Sequence, residues 1–296
     1  MPRTGAMRKP RPCRNWRKTT LSPAIWRRSC NFTGKEKFVM GQFISELTYE
    51  QCQDLIGENT VIMLPIGGGS KEHGDHLPMG TDFFVTDYLA REVTKRCDVL
   101  TLPTLPYAYF PAFIKWKGSV SIDYQHFIDY VGDIILSFAR FGVKKFLILD
   151  GGVSTHIPLK LLALTMNNEH DIKVAVSDCT GLGRETDQAV CSQKKGGHGD
   201  EAETSTMLHI RPELVHMEKT TEEYSAAFPG TMGQGFAKVY FPNRMCTPQG
   251  TNGNSTLATA EKGEAILKAQ VEDLCTFLQA FIPWEPCDYT EEKETM

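Results

Sequence analysis

Nowhere in the 296 residues do eighteen apolar side chains follow one another, so no segment reads as a membrane-spanning helix. The apolar core of a secretory leader is also missing near the start, which argues against export. The nine cysteines are scattered, odd in number and without a Cys-x-x-Cys pair. That pattern removes a zinc ribbon and a disulfide scaffold, and leaves free thiols in a reducing compartment as the expectation. No internal repeat and no clean linker interrupts the chain, so one domain is expected. Gly67, Gly68 and Gly69 follow an apolar run but lack the Gly-Lys-Ser/Thr ending of a phosphate loop and the spacing of a dinucleotide fingerprint. Ser154 lacks the glycine pattern of a serine-hydrolase elbow.

Acidic side chains are scarce in one place. Residues 1–39 hold eleven of the 32 Lys and Arg but one of the 36 Asp and Glu, so this extension carries +10 and the rest of the chain −14. An acidic body lacks the concentrated basic face that phosphate contact requires, and nucleic acid is not an expected partner. The extension has no periodic apolar pattern and is expected to be disordered. Pro2, Pro10 and Pro12 break an amphipathic targeting helix early. A plain extension on a cytoplasmic protein is therefore preferred to a mitochondrial transit peptide or a nucleic-acid arm. Residues 40–284 form the expected catalytic body, and 285–296 an acidic tail.

That body, in a chain 41% hydrophobic, is rich enough in apolar residues to bury a sizeable core. Thr48 caps a short helix over 47–56 with Leu47, Cys52 and Leu55 turned inward. Strands are expected at 61–66, 99–105, 145–150 and 172–177. Helices are expected from Thr81 or Asp82 to Arg96, and over 123–141, 158–166, 201–210 and 258–281. The stretch 181–197 is polar and reads as loop, and a Gly- and Pro-rich loop precedes the last helix. Strand and helix alternate through the middle, which predicts a parallel α/β sheet with right-handed crossovers. The aromatic segment 106–113 suits a pocket wall, internal packing or an oligomer contact.

The chemistry gathers where the strand at 61–66 runs into glycines and then into Glu72, His73, Asp75, His76 and Asp82. Mixed carboxylate and imidazole donors suit zinc, manganese or iron, and ligands collect beyond the carboxyl ends of strands in such sheets. A second region sets His198 between glycines, just ahead of Glu201 and Glu203. An accessible imidazole beside carboxylates titrates in the range useful for proton transfer. A third follows Asp150, where Ser154 and His156 stand.

Leu64, Pro65, Gly67, His73, Gly74, His76, Leu77, Pro78, Thr81 and Asp82 stand in the register of a known opening motif. The motif is Leu-Pro-x-Gly, then Glu-x-His-Gly, x-His-Leu-Pro and Thr-Asp, and through it the chain resembles the creatininase family of metal-dependent amidohydrolases. His198-Gly199, Glu203-Thr204-Ser205, Met207-Leu208 and Pro212 with Val215 match a later family motif, and the segment 253–264 a terminal one. The resemblance spans roughly residues 45–282. It implies a three-layer α/β/α sandwich with a mostly parallel central sheet. It also implies one or two divalent ions (Zn, Mn or Fe), a small amide as substrate and a homo-oligomer, hexameric in many members.

By resemblance, His73 and Asp82 hold metal with Glu72, His198 is the acid/base, and Glu203 orients it or meets substrate. His76, Asp150, Ser154 and His156 are expected to support the site or touch substrate. Two departures matter. The family's Asn-Gly-His-x-Glu turn reads Asp150-Gly151-Gly152-Val153-Ser154, so Gly152 and Ser154 stand at two ligand positions. Lys71 stands where the family has its glutamate, and a bulge in the longer glycine loop would let Glu72 take that place. The function implied is metal-dependent hydrolysis of a non-peptide C–N bond (amide, cyclic amide or formamide). The alternative is a catalytically weakened member that binds a small ligand or serves an assembly.

Overall fold

The computed structural model describes residues 40–225 and 247–285. The expected disordered extension (1–39), the acidic tail beyond Glu285 and residues 226–246 of the Gly- and Pro-rich loop lie outside the described residues. Five parallel strands make the main sheet in the order β1-β3-β2-β4-β5: β1 (Gln42–Phe43), β2 (Val61–Ile66), β3 (Leu100–Thr101), β4 (Lys145–Asp150) and β5 (Lys173–Val176). The central pair is in register from Val61 opposite Lys145 to Ile66 opposite Asp150. A two-stranded antiparallel ribbon, β6 (Glu222–Glu223) with β7 (Gly253–Asn254), lies apart from it in the topology.

Strand alternation builds two apolar layers, because successive side chains leave a sheet on opposite faces. Ile62, Leu64, Ile66, Phe146 and Ile148 pack on one face with Phe127, Val131 and Ile135 of α3 (Tyr124–Ala139) and Leu159 and Leu162 of α4 (Val153–Glu169). Val61, Met63, Leu147 and Leu149 pack on the other with Leu89 and Val93 of α2 (Thr81–Thr94) and Leu267, Leu274 and Leu278 of α7 (Ala260–Phe281). Each fully buried leucine contributes about 1.5–3 kcal/mol of transfer free energy. The result is the expected three-layer α/β/α sandwich, with strands apolar on both faces as parallel sheets require.

Four expectations are corrected. The polar stretch 181–197 contains a helix, α5 (Arg184–Val190), because the Gly183 amide bonds Asp273 of α7 and Leu182 packs against the lower layer. Tertiary contact supplies what composition lacks. The strand expected over 99–105 shortens to β3 and one bridge from Leu105 to Ile66, since Pro103 cannot donate to a ladder. Helix α4 starts at Val153, upstream of Pro158, because the Asp150 carboxylate accepts from the Gly152 amide and the Thr155 hydroxyl and fixes that first turn. In α1 (Tyr49–Leu55) the Thr48 cap holds, reciprocated by Gln51, but Leu55 is exposed.

Candidate active site

From β2 the chain crosses to β3 on one side, and β4 lies on the other, so the carboxyl ends of β2 and β4 open at the switch in strand order. Two glycines let the start of α2 press into that opening. A Cβ at Gly67 would lie 2.6 Å from the Phe83 Cα, and one at Gly151 would lie 2.0 Å from the Thr86 hydroxyl. Only a bare backbone admits such an approach. It carries Asp82, in the first turn of α2, into the crevice.

The loop between β2 and α2 is closed by the Lys71 amide on the Met79 carbonyl. It is pinned from outside by the Ser119 hydroxyl on the Glu72 amide and the Ser70 hydroxyl on the Gly118 carbonyl. Lys71, Glu72, His73 and His76 are all buried there. Asp82 lies between two of them, its Oδ1 2.7 Å from His73 Nε2 and its Oδ2 2.5 Å from Lys71 Nζ. Burial works against the Asp82 anion, but Lys71 and His73 outweigh it and hold the carboxyl well below its ordinary range. Burial likewise works against the Lys71 ammonium, and Asp82 more than restores its charge.

His73 Nδ1 lies 3.0 Å from the Lys71 carbonyl. A carbonyl only accepts, so Nδ1 carries a proton and Nε2 is the ring atom left to face the carboxylate oxygen. Two electron-pair donors in contact need a proton or a cation between them.

His198 comes from the other half of the chain. Its backbone is bridged to Asn252, between Gly197 and Gly199, immediately before α6 (Glu201–Ile210). Its ring lies 4.7 Å from that of His73 and 4.5 Å from that of Phe113, tilted against both. Its Nε2 is 3.3 Å from Glu72 Oε2 and its Nδ1 4.0 Å from Glu203 Oε2. Burial, helped by His73 and Lys71, lowers the His198 pKa against the pull of Glu72 and Glu203. A neutral imidazole, able to take a proton, is the resting form. The Glu72 carboxylate also accepts from the Gly74 amide, and these contacts hold it below its ordinary pKa despite burial. Glu203 is fixed by the Gly199 amide at 2.6 Å.

The remaining sequence candidates divide. His76 Nε2 meets the Thr204 hydroxyl at 2.9 Å, its Nδ1 has no hydrogen-bond partner among the described residues, and burial lowers its pKa to about 4. Asp150 is buried, with Oδ2 3.2 Å from His156 Nδ1, and burial raises its carboxyl to about 6. His156 Nε2 lies 3.6 Å from Asp178, and Ser154 is half-buried in the first turn of α4. Glu201 is buried apart from this cluster, on the amides of Ser192 and Gln193 and the ammonium of Lys262. Of the three roles open to the aromatic segment, Phe110 and Phe113 take internal packing, buried in the core with Lys71 Nζ 5.1 and 4.9 Å from their ring centroids. Lys71 entered the sequence reading only as a departure from the family motif, with no role of its own. Its one signal was a lysine placed inside a run of metal-type donors.

The donor set fits a divalent ion. His73, His198 and Glu203 each bring one ligand atom within 4.8 Å of the other two, and His73 Nε2 also meets Asp82 Oδ1 at 2.7 Å. Cys179 adds no thiolate, since burial beside Asp150 and Asp82 pushes its thiol up.

The family model for creatinine amidohydrolase matches residues 45–278. Creatinine amidohydrolase from Pseudomonas putida is 28% identical, over 81% of this chain and 97% of its own length. The 3-dehydro-scyllo-inosose hydrolase of Thermotoga maritima is 24% identical, over 82% and 83%. A manganese creatininase structure superposes with a TM-score of 0.71 at 24% identity, over 82% of this chain and all of that one, which is a likeness of fold.

Proposed function

The chain belongs to the creatinine amidohydrolase family, and from that premise we propose a metal-dependent hydrolase that cleaves the non-peptide C–N bond of a small amide, cyclic amide or formamide. The observation that carries the reading is the convergence of His73 Nε2 and Asp82 Oδ1 at 2.7 Å, with the His198 ring 4.7 Å from that of His73. His73 and Asp82 would hold the ion, zinc, manganese or iron by donor chemistry, with Glu203 within reach. When bound, such an ion lowers the pKa of water and polarises a carbonyl.

The protein's own groups do the rest. The Lys71 carbonyl fixes the His73 tautomer through Nδ1. His198, neutral at rest, accepts a proton and returns it to the leaving nitrogen. Glu72 holds His198 Nε2, and Glu203, tied to the Gly199 amide, faces Nδ1. Phe110 and Phe113 exclude water from one side. His76, Asp150, Ser154 and His156 support the loops around this centre in the same reading. A homo-oligomer, hexameric by resemblance, completes it, and light scattering on the purified chain measures that.

The test is metal content by inductively coupled plasma mass spectrometry on chelator-free protein, with Asp82→Ala alongside and a panel of amides assayed with both. Bound metal that is lost in the variant together with turnover is the expected result. Protein that neither retains metal after reloading nor hydrolyses any amide sinks the proposal.

A further inference from the structure

We infer that the Lys71 ammonium is an internal cation that caps Asp82 and limits this centre to a single divalent ion. The inference rests on the metal-dependent reading above. A carboxylate shared by two ions gives one oxygen to each, as two-metal sites about 3.5–4 Å across require. Asp82 has one oxygen to give, because Nζ of Lys71 stands 2.5 Å from Oδ2 while Oδ1 faces His73. The ammonium is not a surface group that swings in: the Lys71 side chain is 7% exposed and the faces of Phe110 and Phe113 enclose it.

The positions around it are closed to further donors. A Cβ at Gly152 would stand 3.0 Å from the Phe110 ring and 2.8 Å from the Thr155 hydroxyl. One at Gly68 would stand 3.1 Å from the same ring and 3.2 Å from Asp82 Oδ2. Phe110 therefore fills the space into which either position would send a ligand. Charge balances in the same way. Glu72, Asp82 and Glu203 bring three negative charges to the histidine pair, and one divalent ion with the Lys71 ammonium brings three positive ones. A second ion would leave an excess in a buried site, where like charges repel strongly.

Mn(II) binding, followed by equilibrium dialysis and electron paramagnetic resonance, tests this on the full chain, with melting curves to check that variants fold. Wild type should bind one equivalent with an uncoupled six-line spectrum. Lys71→Gln, which removes the opposing charge, should bind Mn(II) about tenfold more tightly or beyond, and Lys71→Arg should match wild type. Two equivalents with a spin-coupled spectrum in wild type would overturn the inference while leaving the hydrolase reading intact. So would unchanged affinity in a folded Lys71→Gln. Wild type without metal beside a Lys71→Gln that binds one ion would support the capping role and overturn the metal-dependent reading. Absence of binding in all three overturns both.

Discussion

The imidazoles of His73 and His198 lie 4.7 Å apart and tilted by 36°, yet only His73 touches Asp82. The two rings face different partners, and the proposed mechanism divides the work accordingly, ion holding to His73 and proton transfer to His198. Replacing His198 by alanine should lower kcat about 10²–10⁴-fold while metal content stays at the wild-type level. His73→Ala should lose the metal itself. Parallel assays of turnover and metal content distinguish the two, and loss of metal in His198→Ala would show that the roles are not divided.

Asp150 gives a pH signature. Its folded pKa of about 6 stands above the 3.8 of a free aspartate because burial outweighs its bonds from Thr155, Gly152 and His156. A raised folded pKa means that the folded chain binds the proton more tightly, so this group's contribution is full below about pH 4 and is lost as pH rises through about 6. The total change across that range amounts to about 3 kcal/mol. Asp150→Asn keeps the acceptor for Thr155 and Gly152 and should flatten urea midpoints between pH 4.5 and 7. An unaltered slope would show that another group carries it.

Gly263, inside α7, lies against α6 so closely that a Cβ would stand 1.9 Å from the Ser205 carbonyl oxygen. Gly263→Ala gains helix propensity of about 1 kcal/mol but must push the two helices apart, and overpacking costs about 1–3 kcal/mol or more. The expected outcome is a lower melting temperature together with reduced activity, since α6 carries Glu203. A rise in melting temperature would contradict the packing.

The buried Glu201 carboxylate bonds two loop amides and Lys262 of α7. Lys262→Met strands that anion, at a cost of about 3–5 kcal/mol. A domain of this size should then melt about 6–20 °C lower. Adding Glu201→Gln should restore part of the loss, because a neutral amide needs no counter-charge. Calorimetry on the single and double variants measures the recovery.

How much of this was legible in the sequence follows from what kind of information each feature needs. β2 and β4 could be read because a strand buried on both faces is apolar at every position, and Val61–Ile66 and Phe146–Leu149 are. His73 and Asp82 could be read because they follow a strand end and glycines. Helix α5 could not, because its support comes from Asp273 and from burial of Leu182, contacts with distant segments. Lys71 could not be weighed either. A lysine in a loop is ordinarily solvated, and only the two phenylalanines and Asp82 folded around it reveal an enclosed charge. Gly152 looked like a missing ligand, whereas the fold shows its place taken by Phe110.

The bond between Glu72 and His198 joins residues 126 positions apart, and α6 is held in place by α7, nearer the other end of the chain. Closing a loop over such a span costs chain entropy before its contacts repay it. During synthesis the β2 loop emerges with Lys71, His73 and Asp82 long before His198 is made. A nascent chain that has reached only α5 holds every strand of the main sheet and no imidazole opposite His73. Hydrolytic competence is thus a property of the finished body and not of the sheet alone.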